Sequence, residues 1–287
     1  MTEGILYIAD GREYVREAID SAKSVRRQMP DVNISLATRE PVESGPFDDI
    51  RPLEHDYEGV GQSILTPELM VYDRTIFLDT DTYVAEPVDE LFDLLNDFEL
   101  CFSWGAASRK LPEPYAEWPE FNTGVIGFRK SKTVENIFRR WRADFDERVV
   151  RMRANDEIIS DQPSFGKAVL DSSARFYLLP RTYNCRLPRV GYVGEDVKIG
   201  HGRLDGYAID LEEAVNRIHE HGYTCIYGKA LNSTLGKTIV AYGNADFLSE
   251  SPLKSFMSLL RTFIDSTREE GLGHSIALCG LRRLLDW

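Results

Sequence analysis

Long apolar segments and paired cysteines are both missing from this chain of 287 residues. No apolar segment approaches the roughly 20 residues that a membrane-spanning helix needs. Met1 is not followed by the apolar core of a signal peptide. The four cysteines lie far apart, at Cys101, Cys185, Cys225 and Cys279, and include no C-x-x-C pair. This spacing argues against a zinc site and a disulfide framework. We therefore expect a protein of a reduced, cytoplasmic compartment.

Basic residues are also scarce, and this limits the partners of the protein. Lys and Arg number 34 against 47 Asp and Glu, so the formal net charge is −13 at pH 7. A negative field repels the phosphate backbone, and we expect no nucleic-acid partner. Only 9 of the 34 basic residues are lysine. This acidic, lysine-poor composition fits either a salt-rich cytoplasm or an ordinary mildly acidic protein.

What the sequence does contain is an alternation of strand and helix patterns. The predicted strands are residues 5–9, 33–38, 49–53, 75–78, 100–104, 123–129 and 175–179. The predicted helices are residues 15–29, 67–72, 87–96, 131–154 and 161–170. This alternation predicts an α/β fold, with a mostly parallel, Rossmann-like sheet flanked by helices. Such sheets bind ligands at the carboxyl ends of their strands, where Asp10 and Asp79 lie.

Two aspartates one residue apart, Asp79 and Asp81, follow the predicted strand at residues 75–78. In extended chain, residues two apart face the same side, so these carboxylates converge. The other Asp-x-Asp pair, Asp144 and Asp146, falls in a predicted helix, where positions two apart diverge. Converged carboxylates repel each other unless a divalent cation lies between them, and Mg²⁺ or Mn²⁺ accepts such oxygen ligands. A solvated acidic turn is the alternative.

A phosphatase function is a second interpretation of the same pair. Haloacid-dehalogenase-like phosphatases also place Asp-x-Asp after an apolar strand, with their first aspartate at the position of Asp79. Their pattern has Thr or Val two residues beyond the second aspartate, where this chain has Tyr83. Their strand is normally the first of the domain, unlike the strand at residues 75–78. These departures weaken the phosphatase interpretation and leave it open.

The stretch EFNTGVIGFRKS, residues 120–131, places Asn122 and Thr123 before a glycine and an apolar strand. Gly124 would allow the backbone to approach a ligand closely. A polar turn that leads into a strand is the simpler interpretation of this stretch alone.

Two further stretches place polar groups where a ligand could bind. The stretch SDQPSF predicts a helix capped by Ser160, with Asp161 and Gln162 at its N-terminus. Helix N-termini favour anions, although an aspartate without a chemical role gives the same pattern. The stretch VKIGHGR places His201 after an apolar segment, and an imidazole can complete a carboxylate metal site. A lone histidine is more often structural.

In their order along the chain, LDTDT, FNTGV, DQP, YN (Tyr183 and Asn184) and HG resemble the motifs of one enzyme family. It comprises the glycogenin-like and lipopolysaccharide-galactosyltransferase-like enzymes, that is, glycosyltransferase family 8 and its nucleotide-diphospho-sugar transferase relatives. The resemblance covers about residues 4–203 and implies the GT-A fold. It also implies a hexosyltransferase that uses a nucleotide-sugar donor, with a UDP-sugar favoured, and retains the anomeric configuration.

The resemblance implies a role for each matching position. Asp79, Asp81 and His201 would bind Mn²⁺ or Mg²⁺, and Asp161 and Gln162 would act at the catalytic centre. The positions implied in binding the nucleotide-sugar are Ala9, Asp10, Tyr14, Asp79, Thr80, Asn122, Thr123, Gly124 and Arg203.

The chain departs from the family after His201. The family has a histidine-x-x-glycine and then a lysine that grips the phosphates, whereas here Gly202 and Arg203 follow directly. A guanidinium binds phosphate well, so Arg203 is the expected replacement. A non-catalytic relative that binds a nucleotide-sugar without turnover is a third interpretation. The intact residues that argue against it are Asp79, Asp81, Asp161 and His201.

The sequence predicts a transferase domain, residues 1–250, and a C-terminal extension of two amphipathic helices, residues 251–287. The apolar faces of this extension could pack on the core, pair two chains in a homodimer, or contact the cytoplasmic face of a membrane peripherally. Glycan, lipid-linked and protein acceptors are all open. We expect residues 106–119 and the chain beyond Gly202 to select the acceptor, because the resemblance is poorest there.

Overall fold

The structure, a computed structural model, describes most of residues 1–220 and two short strands beyond them. The described ranges are 1–43, 45–53, 64–105, 111–155, 159–187, 191–193, 195–204, 210–220, 225–228 and 239–242. The predicted C-terminal helices at residues 251–287 and the domain boundary at residue 250 lie outside these ranges. Within them, no helix has the length and apolarity to cross a bilayer.

Strands and helices alternate along the described chain, as the sequence predicts. The strands are β1 (Glu3–Ile8), β2 (Asn33–Thr38), β3 (Asp49–Pro52), β4 (Arg74–Leu78), β5 (Thr82–Val84), β6 (Leu100–Trp104), β7 (Phe121–Arg129), β8 (Phe176–Leu179), β9 (Cys185–Arg186), β10 (Gly191–Val193), β11 (Ile199–His201), β12 (Cys225–Gly228) and β13 (Ile239–Tyr242). The helices are α1 (Arg12–Gln28), α2 (Glu90–Asp97), α3 (Lys132–Ala154), α4 (Gln162–Leu170) and α5 (Leu211–Glu220), with 3₁₀ turns at Pro67–Leu69 and Arg181–Tyr183.

A seven-stranded sheet forms the centre of the fold, in the order β3-β2-β1-β4-β7-β6-β8. Within this sheet only β7 runs antiparallel to its neighbours, so the prediction of a mostly parallel sheet is confirmed. The strand order reverses between β1 and β4, where Leu6 pairs with Phe77. A ligand binds beyond the carboxyl ends of the strands at such a switch point. Here those ends lead into Asp10 and Asp79.

Helices cover both faces of this sheet, and each face has its own apolar core. On one face, α1 and α2 pack with side chains such as Ala22 and Leu91 against alternate residues of β1, β2 and β4. On the other face, α3 and α4 contribute Phe138, Trp141 and Phe165. Because the central strands are covered on both sides, they are apolar almost throughout, which explains the uninterrupted apolar segments of the sequence.

A small three-stranded sheet, in the order β5-β11-β9, lies at the carboxyl end of β4. In it, β11 runs antiparallel to β5 and pairs His201 with Thr82. It runs parallel to β9 and pairs His201 with Arg186. This sheet therefore brings His201 next to Asp81, the residue before β5, although the two are 120 positions apart in sequence.

Several predicted helix bounds are wrong. The helix predicted from residue 15 begins at Arg12, and the helix predicted at residues 67–72 is a 3₁₀ turn, Pro67–Leu69. The helix predicted from residue 87 begins at Glu90. Ser160 is not the N-cap of α4, because the helix begins at Gln162 and the cap position is Asp161, whose side chain makes no capping hydrogen bond. The Asp161 carboxylate is therefore available to the site described below.

Candidate metal site

Asp79 and Asp81 lie on the short connection between β4 and β5, and neighbouring backbone groups hold both. The N–H of Asp79 donates to the carbonyl of Gly124 in β7 at 2.8 Å, and the N–H of Gly202 donates to the carbonyl of Asp81 at 2.8 Å. The two carboxylates converge at the edge of the sheet where the strand order reverses.

His201, the last residue of β11, completes a cluster with these carboxylates. Its Nε2 lies 3.5 Å from Asp79 Oδ2 and 3.6 Å from Asp81 Oδ1, and one ligand atom of each residue lies within 4.8 Å of the others. Ligand atoms about 2.1 Å from a cation and at right angles to each other are about 3 Å apart. The two distances from His201 Nε2 exceed this value by about half an ångström, and two carboxylates with an imidazole suit either Mg²⁺ or Mn²⁺.

A chain of hydrogen bonds fixes which nitrogen of His201 faces the carboxylates. The backbone N–H of Gly124 donates to Asn122 Oδ1 at 3.1 Å, so that atom is an acceptor. Asn184 Nδ2 donates to the same oxygen at 2.6 Å, which leaves Asn184 Oδ1 to accept from His201 Nδ1 at 2.8 Å. Neutral His201 therefore presents an unprotonated Nε2 to the carboxylates. Histidines that bind metals are commonly oriented by a second hydrogen bond of this kind.

Gly124 is required beside this cluster for reasons of space. A Cβ atom at this position would lie 2.2 Å from His201 Cε1 and 2.9 Å from Asp79 Oδ2. Any side chain would thus displace both residues. The close backbone approach that the sequence suggests at this glycine is an approach to the imidazole and the carboxylate.

The charges of the cluster shift the pKa values of His201 and Asp81 in the direction opposite to the effect of burial. Burial lowers the pKa of His201, but the negative charge of Asp81 and hydrogen bonds to both aspartates outweigh it and leave that pKa raised. Burial raises the pKa of Asp81, but the positive charges of His201 and Arg203 outweigh it and leave that pKa lowered. Without a cation the cluster favours a proton on His201 Nε2, which a bound cation would replace.

A cavity of about 420 Å³ opens beside the cluster, a volume within the range of about 300 to 1,000 Å³ that is typical of small-molecule sites. Most of its lining is the set predicted from the sequence, namely Ala9, Asp10, Tyr14, Asp79, Thr80, Asp81, Asn122, Thr123, Asp161, Gln162, His201 and Arg203. Ile8 and Arg186 also line it and were not predicted. Of the predicted residues, Gly124 does not line the cavity but lies against His201.

Asp10 and Tyr14 lie where β1 leads into α1. Asp10 is buried, and Arg39 donates to its Oδ2 from Nε at 2.8 Å and also from Nη2. Tyr14 is 43% exposed, with the guanidinium of Arg203 5.3 Å from its ring centroid. This end of the cavity therefore offers a fixed carboxylate and an accessible aromatic ring.

Arg203 connects the aspartate cluster to α1. Its Nε and Nη2 donate to the two carboxylate oxygens of Glu17, each at 2.7 Å, and its Nη1 lies 3.5 Å from Asp81 Oδ2. Thr80 Oγ1 also donates to Glu17, at 2.6 Å. The hydrogen bond to Glu17 raises the pKa of Arg203, so the guanidinium stays charged beside the aspartate pair.

Asp161 supplies another buried carboxylate to the cavity. Burial, and then the negative charge of Asp79, raise its pKa to about 7, and a hydrogen bond from Thr123 opposes this rise. Trp141 Nε1 donates to the backbone carbonyl of Asp161 at 3.2 Å, which fixes the start of α4. A carboxyl group that titrates near neutral pH in a cavity is a candidate functional group.

Besides Ile8, three residues that contact the site were not predicted from the sequence. Asn184 falls in the YN motif, which was the one available signal, but it had no assigned role. Arg186 joins the site through the pairing of β9 with β11, and Glu17 joins it through Arg203, 186 residues away in sequence. No local pattern marks the last two, because their partners are chosen by tertiary contacts.

No protein-family profile matches the sequence, and no curated protein matches it significantly. Solved structures do match. The glycosyltransferase GlyE of Streptococcus pneumoniae TIGR4 is 15% identical, with 76% of this chain and 60% of that chain covered and a TM-score of 0.53. The bifunctional glycosyltransferase WbbM is 15% identical, with 66% of this chain and 40% of the WbbM chain covered and a TM-score of 0.48. The galactosyltransferase LgtC, in complex with donor and acceptor sugar analogs, is 17% identical, with 63% and 74% covered and a TM-score of 0.44.

We base the fold assignment on GlyE, which has the highest of these three TM-scores. The chain has the mostly parallel α/β fold of a GT-A-like glycosyltransferase, as the sequence motifs implied. It spans 60% of the length of GlyE. Identity this low establishes the fold alone, because one fold can host many different activities.

Proposed function

We propose that this protein is a cation-dependent glycosyltransferase that takes a sugar from a nucleoside-diphosphate sugar. The observation that carries the proposal is the cluster of Asp79, Asp81 and His201 beside a cavity of about 420 Å³, at the strand switch point of a glycosyltransferase fold. Carboxylate ligands attract a cation that a diphosphate can share. A UDP-sugar is the favoured donor, by the resemblance of the sequence motifs.

The diphosphate is assigned to the side of the cavity that holds the cluster and Arg203. Bound Mn²⁺ or Mg²⁺ would neutralise negative charge that develops on the leaving diphosphate. Arg203 would exchange its two bonds to Glu17 for bonds to phosphate oxygens, because a guanidinium matches either anion with two parallel bonds. Arg186, which also lines the cavity, would add a second positive charge.

The nucleoside is assigned to Ala9, Asp10 and Tyr14, where a stacking ring and a fixed acceptor are available. Thr80 lies beside Asp79 and would contact the phosphates. We place the sugar near Asn122, Thr123 and Gly124, as the family motif implies.

The hydrogen bonds within the site limit what these sugar-binding groups can do. Asn122 Oδ1 already accepts from the backbone N–H of Gly124 and from Asn184, so Asn122 would offer its Nδ2 to a sugar hydroxyl. Thr123 donates to Asp161, so its hydroxyl oxygen would accept.

Asp161 and Gln162 are proposed to act at the anomeric carbon. An oxygen of either side chain beside this carbon would stabilise positive charge on the sugar as the bond to the diphosphate breaks, as carboxylates do in other glycosyl chemistry. We propose that the reaction retains the anomeric configuration. The acceptor hydroxyl would be held in line by the same cavity, which lowers the entropic part of the barrier.

For the whole chain, we propose a transferase domain at residues 1–250 and a helical extension at residues 251–287. The protein would act in the cytoplasm on a glycan, a lipid-linked acceptor or a protein. The extension would support packing on the core, dimerisation or peripheral contact with the membrane. Vesicle flotation of the full-length protein tests the membrane contact. If the protein stays in solution with every lipid mixture, membrane contact is excluded.

The first test is thermal unfolding with UDP, GDP, dTDP and their sugars, each with and without Mn²⁺. A ligand at a hundredfold its Kd should stabilise the fold by about 2.7 kcal/mol, a shift of several degrees. We expect one base to give this shift, to need Mn²⁺ and to fail with Asp81→Ala. Asp146→Ala, which alters the other Asp-x-Asp pair on the exposed face of α3, is the matched control and should behave as wild type.

The other two interpretations give different results in the same series. A phosphatase built on Asp79 would show no nucleotide preference and would hydrolyse phosphate esters. A non-catalytic relative would show the nucleotide-dependent shift without transfer to any acceptor. Absence of a shift with every nucleotide, at low and high salt, contradicts the glycosyltransferase proposal.

A further inference from the structure

Glu120 is a buried carboxylate that neither the metal cluster nor the proposed donor contacts use. It precedes β7 directly and is 1% exposed. Its Oε1 lies 3.2 Å from the side-chain amide of Gln162, which lines the cavity with Asp161, and its negative charge contributes to the raised pKa of Asp161. Burying a carboxylate is costly, so one kept beside a reaction centre needs an explanation.

The side-chain amide of Gln162 supplies an explanation for the buried Glu120 carboxylate. Glu120 Oε1 and the backbone carbonyl of Phe121 each lie 3.2 Å from the same end of this amide. Both atoms accept hydrogen bonds, so that end of the amide is the NH₂ group. The carbonyl oxygen of Gln162 is the end that remains for the cavity, which Gln162 lines beside Asp161 and Thr123.

Gly105 provides the space that Glu120 occupies. A Cβ atom at residue 105 would lie 2.7 Å from Glu120 Cγ and 2.9 Å from its backbone oxygen. The N–H of Gly105 donates to that oxygen at 2.7 Å. The chain therefore fixes the backbone of Glu120 and leaves room for its side chain to reach Gln162.

We propose that Glu120 is a positioning residue whose carboxylate, with the carbonyl of Phe121, turns the carbonyl oxygen of Gln162 toward the donor sugar. The inference rests on the proposed function. An amide flipped by 180° would present NH₂, whose partial positive charge opposes positive charge at the anomeric carbon. With the NH₂ held by two acceptors, the oxygen faces the sugar without reorganisation during the reaction.

The orientation of the amide can be measured without turnover, because the chain has only three glutamines, Gln28, Gln62 and Gln162. We would label the glutamine side chains with ¹⁵N and record their NH₂ signals with Mg²⁺ and UDP present. Gln162→Met identifies the signal by its loss. In the wild type we expect the Gln162 protons to exchange slowly with water, because both donate.

Two substitutions at residue 120 then distinguish the effect of the hydrogen-bond acceptor of Glu120 from the effect of its negative charge. Glu120→Gln keeps an acceptor oxygen and should leave the Gln162 signal close to that of the wild type. Glu120→Leu removes the acceptor and should move the signal and speed its exchange. Gly105→Ala, which displaces Glu120 without changing it, should resemble Glu120→Leu. A Gln162 signal that is the same in wild type and Glu120→Leu overturns the proposal.

Kinetics test the catalytic consequence. For Glu120→Leu we expect kcat to fall by about 10-fold to 100-fold, with the KM for the donor changed less than about threefold, because orientation and not binding is lost. Glu120→Gln should stay within about threefold of the wild-type kcat. An unchanged kcat in a folded Glu120→Leu variant with an altered Gln162 signal contradicts the catalytic role. If the wild type transfers no sugar, the proposed function fails, while the NH₂ signals still decide the orientation.

Discussion

The Nδ1 atom of His201 lies 2.8 Å from Oδ1 of Asn184, at the end of a chain of bonds that begins at the backbone N–H of Gly124. A backbone N–H can only donate. This fixes the amide orientation of Asn122, which in turn fixes that of Asn184, which places the proton of His201 on Nδ1. The nitrogen that faces Asp79 and Asp81 is consequently the one able to bind a cation.

Removing the amide of Asn184 should weaken cation binding. We expect Asn184→Ala to lower the affinity for Mn²⁺ by about 10-fold to 100-fold, because His201 loses the bond that selects its tautomer and ring orientation. Electron paramagnetic resonance of free Mn²⁺ measures this directly. Asn184→Asp should recover part of the affinity, because its carboxylate accepts from His201 but cannot donate to Asn122. Asn136→Ala, on the exposed face of α3, is the control. Equal Mn²⁺ affinity in all variants would show that the orientation of the His201 ring does not depend on Asn184.

Two glycines of β7 give a matched pair of variants. Gly124→Ala places a Cβ atom 2.2 Å from His201 Cε1, whereas Gly127→Ala places one 2.4 Å from Cys101 Sγ, away from the site. Overpacking should destabilise both variants by about 1 to 3 kcal/mol. Only Gly124→Ala should lose Mn²⁺ binding, measured by calorimetry on folded protein. Loss of binding in both variants would indicate a general effect of strand distortion.

The stability of the metal-free protein should depend on pH through Asp161. Its pKa is raised to about 7 in the folded state, against about 4 for an unfolded aspartate. A raised folded pKa stabilises the fold below the unfolded pKa, and the contribution is lost as the pH rises through the folded pKa. Asp161→Asn cannot ionise, so its stability relative to the wild type should increase from about pH 4 to pH 7 and then level off.

Urea unfolding of both proteins in the presence of a chelator measures this difference. The change across the range should be on the order of a few kcal/mol. Titrating groups that do not interact with Asp161 are common to both proteins and cancel in the comparison. A difference that is constant across the pH range would show that Asp161 titrates as an ordinary aspartate.

The bond between Arg203 and Glu17 should compete with the diphosphate. Arg203→Ala is expected to weaken binding of the nucleoside diphosphate by about 10-fold or more, because a guanidinium with two phosphate bonds is lost. Glu17→Gln should strengthen binding a few-fold, because Arg203 is no longer held by a carboxylate. The nucleoside without phosphates is the control ligand, and its affinity should change much less, because Arg203 contacts only Tyr14 among the residues assigned to the nucleoside. Unchanged diphosphate affinity in Arg203→Ala would exclude this residue from the phosphate site.

The sequence by itself determined the local features. Hydrophobic periodicity located the strands and helices. A helix or strand that buries one face, or a strand that buries both, repeats its apolar residues within a short segment of sequence. Spacing also indicated that Asp79 and Asp81 converge while Asp144 and Asp146 diverge, since side-chain direction depends on the local period. The ordered motifs implied the glycosyltransferase fold that the structure has.

The tertiary structure decided everything that depends on which distant segments meet. The reversed direction of β7, the pairing of β11 with β5 and β9, and the bond between Glu17 and Arg203 all join residues far apart in sequence. The same holds for the hydrogen bonds that orient the polar groups of Asn184 and Gln162. An amide has two chemically opposite ends, and only the neighbours brought by folding determine which end faces the site.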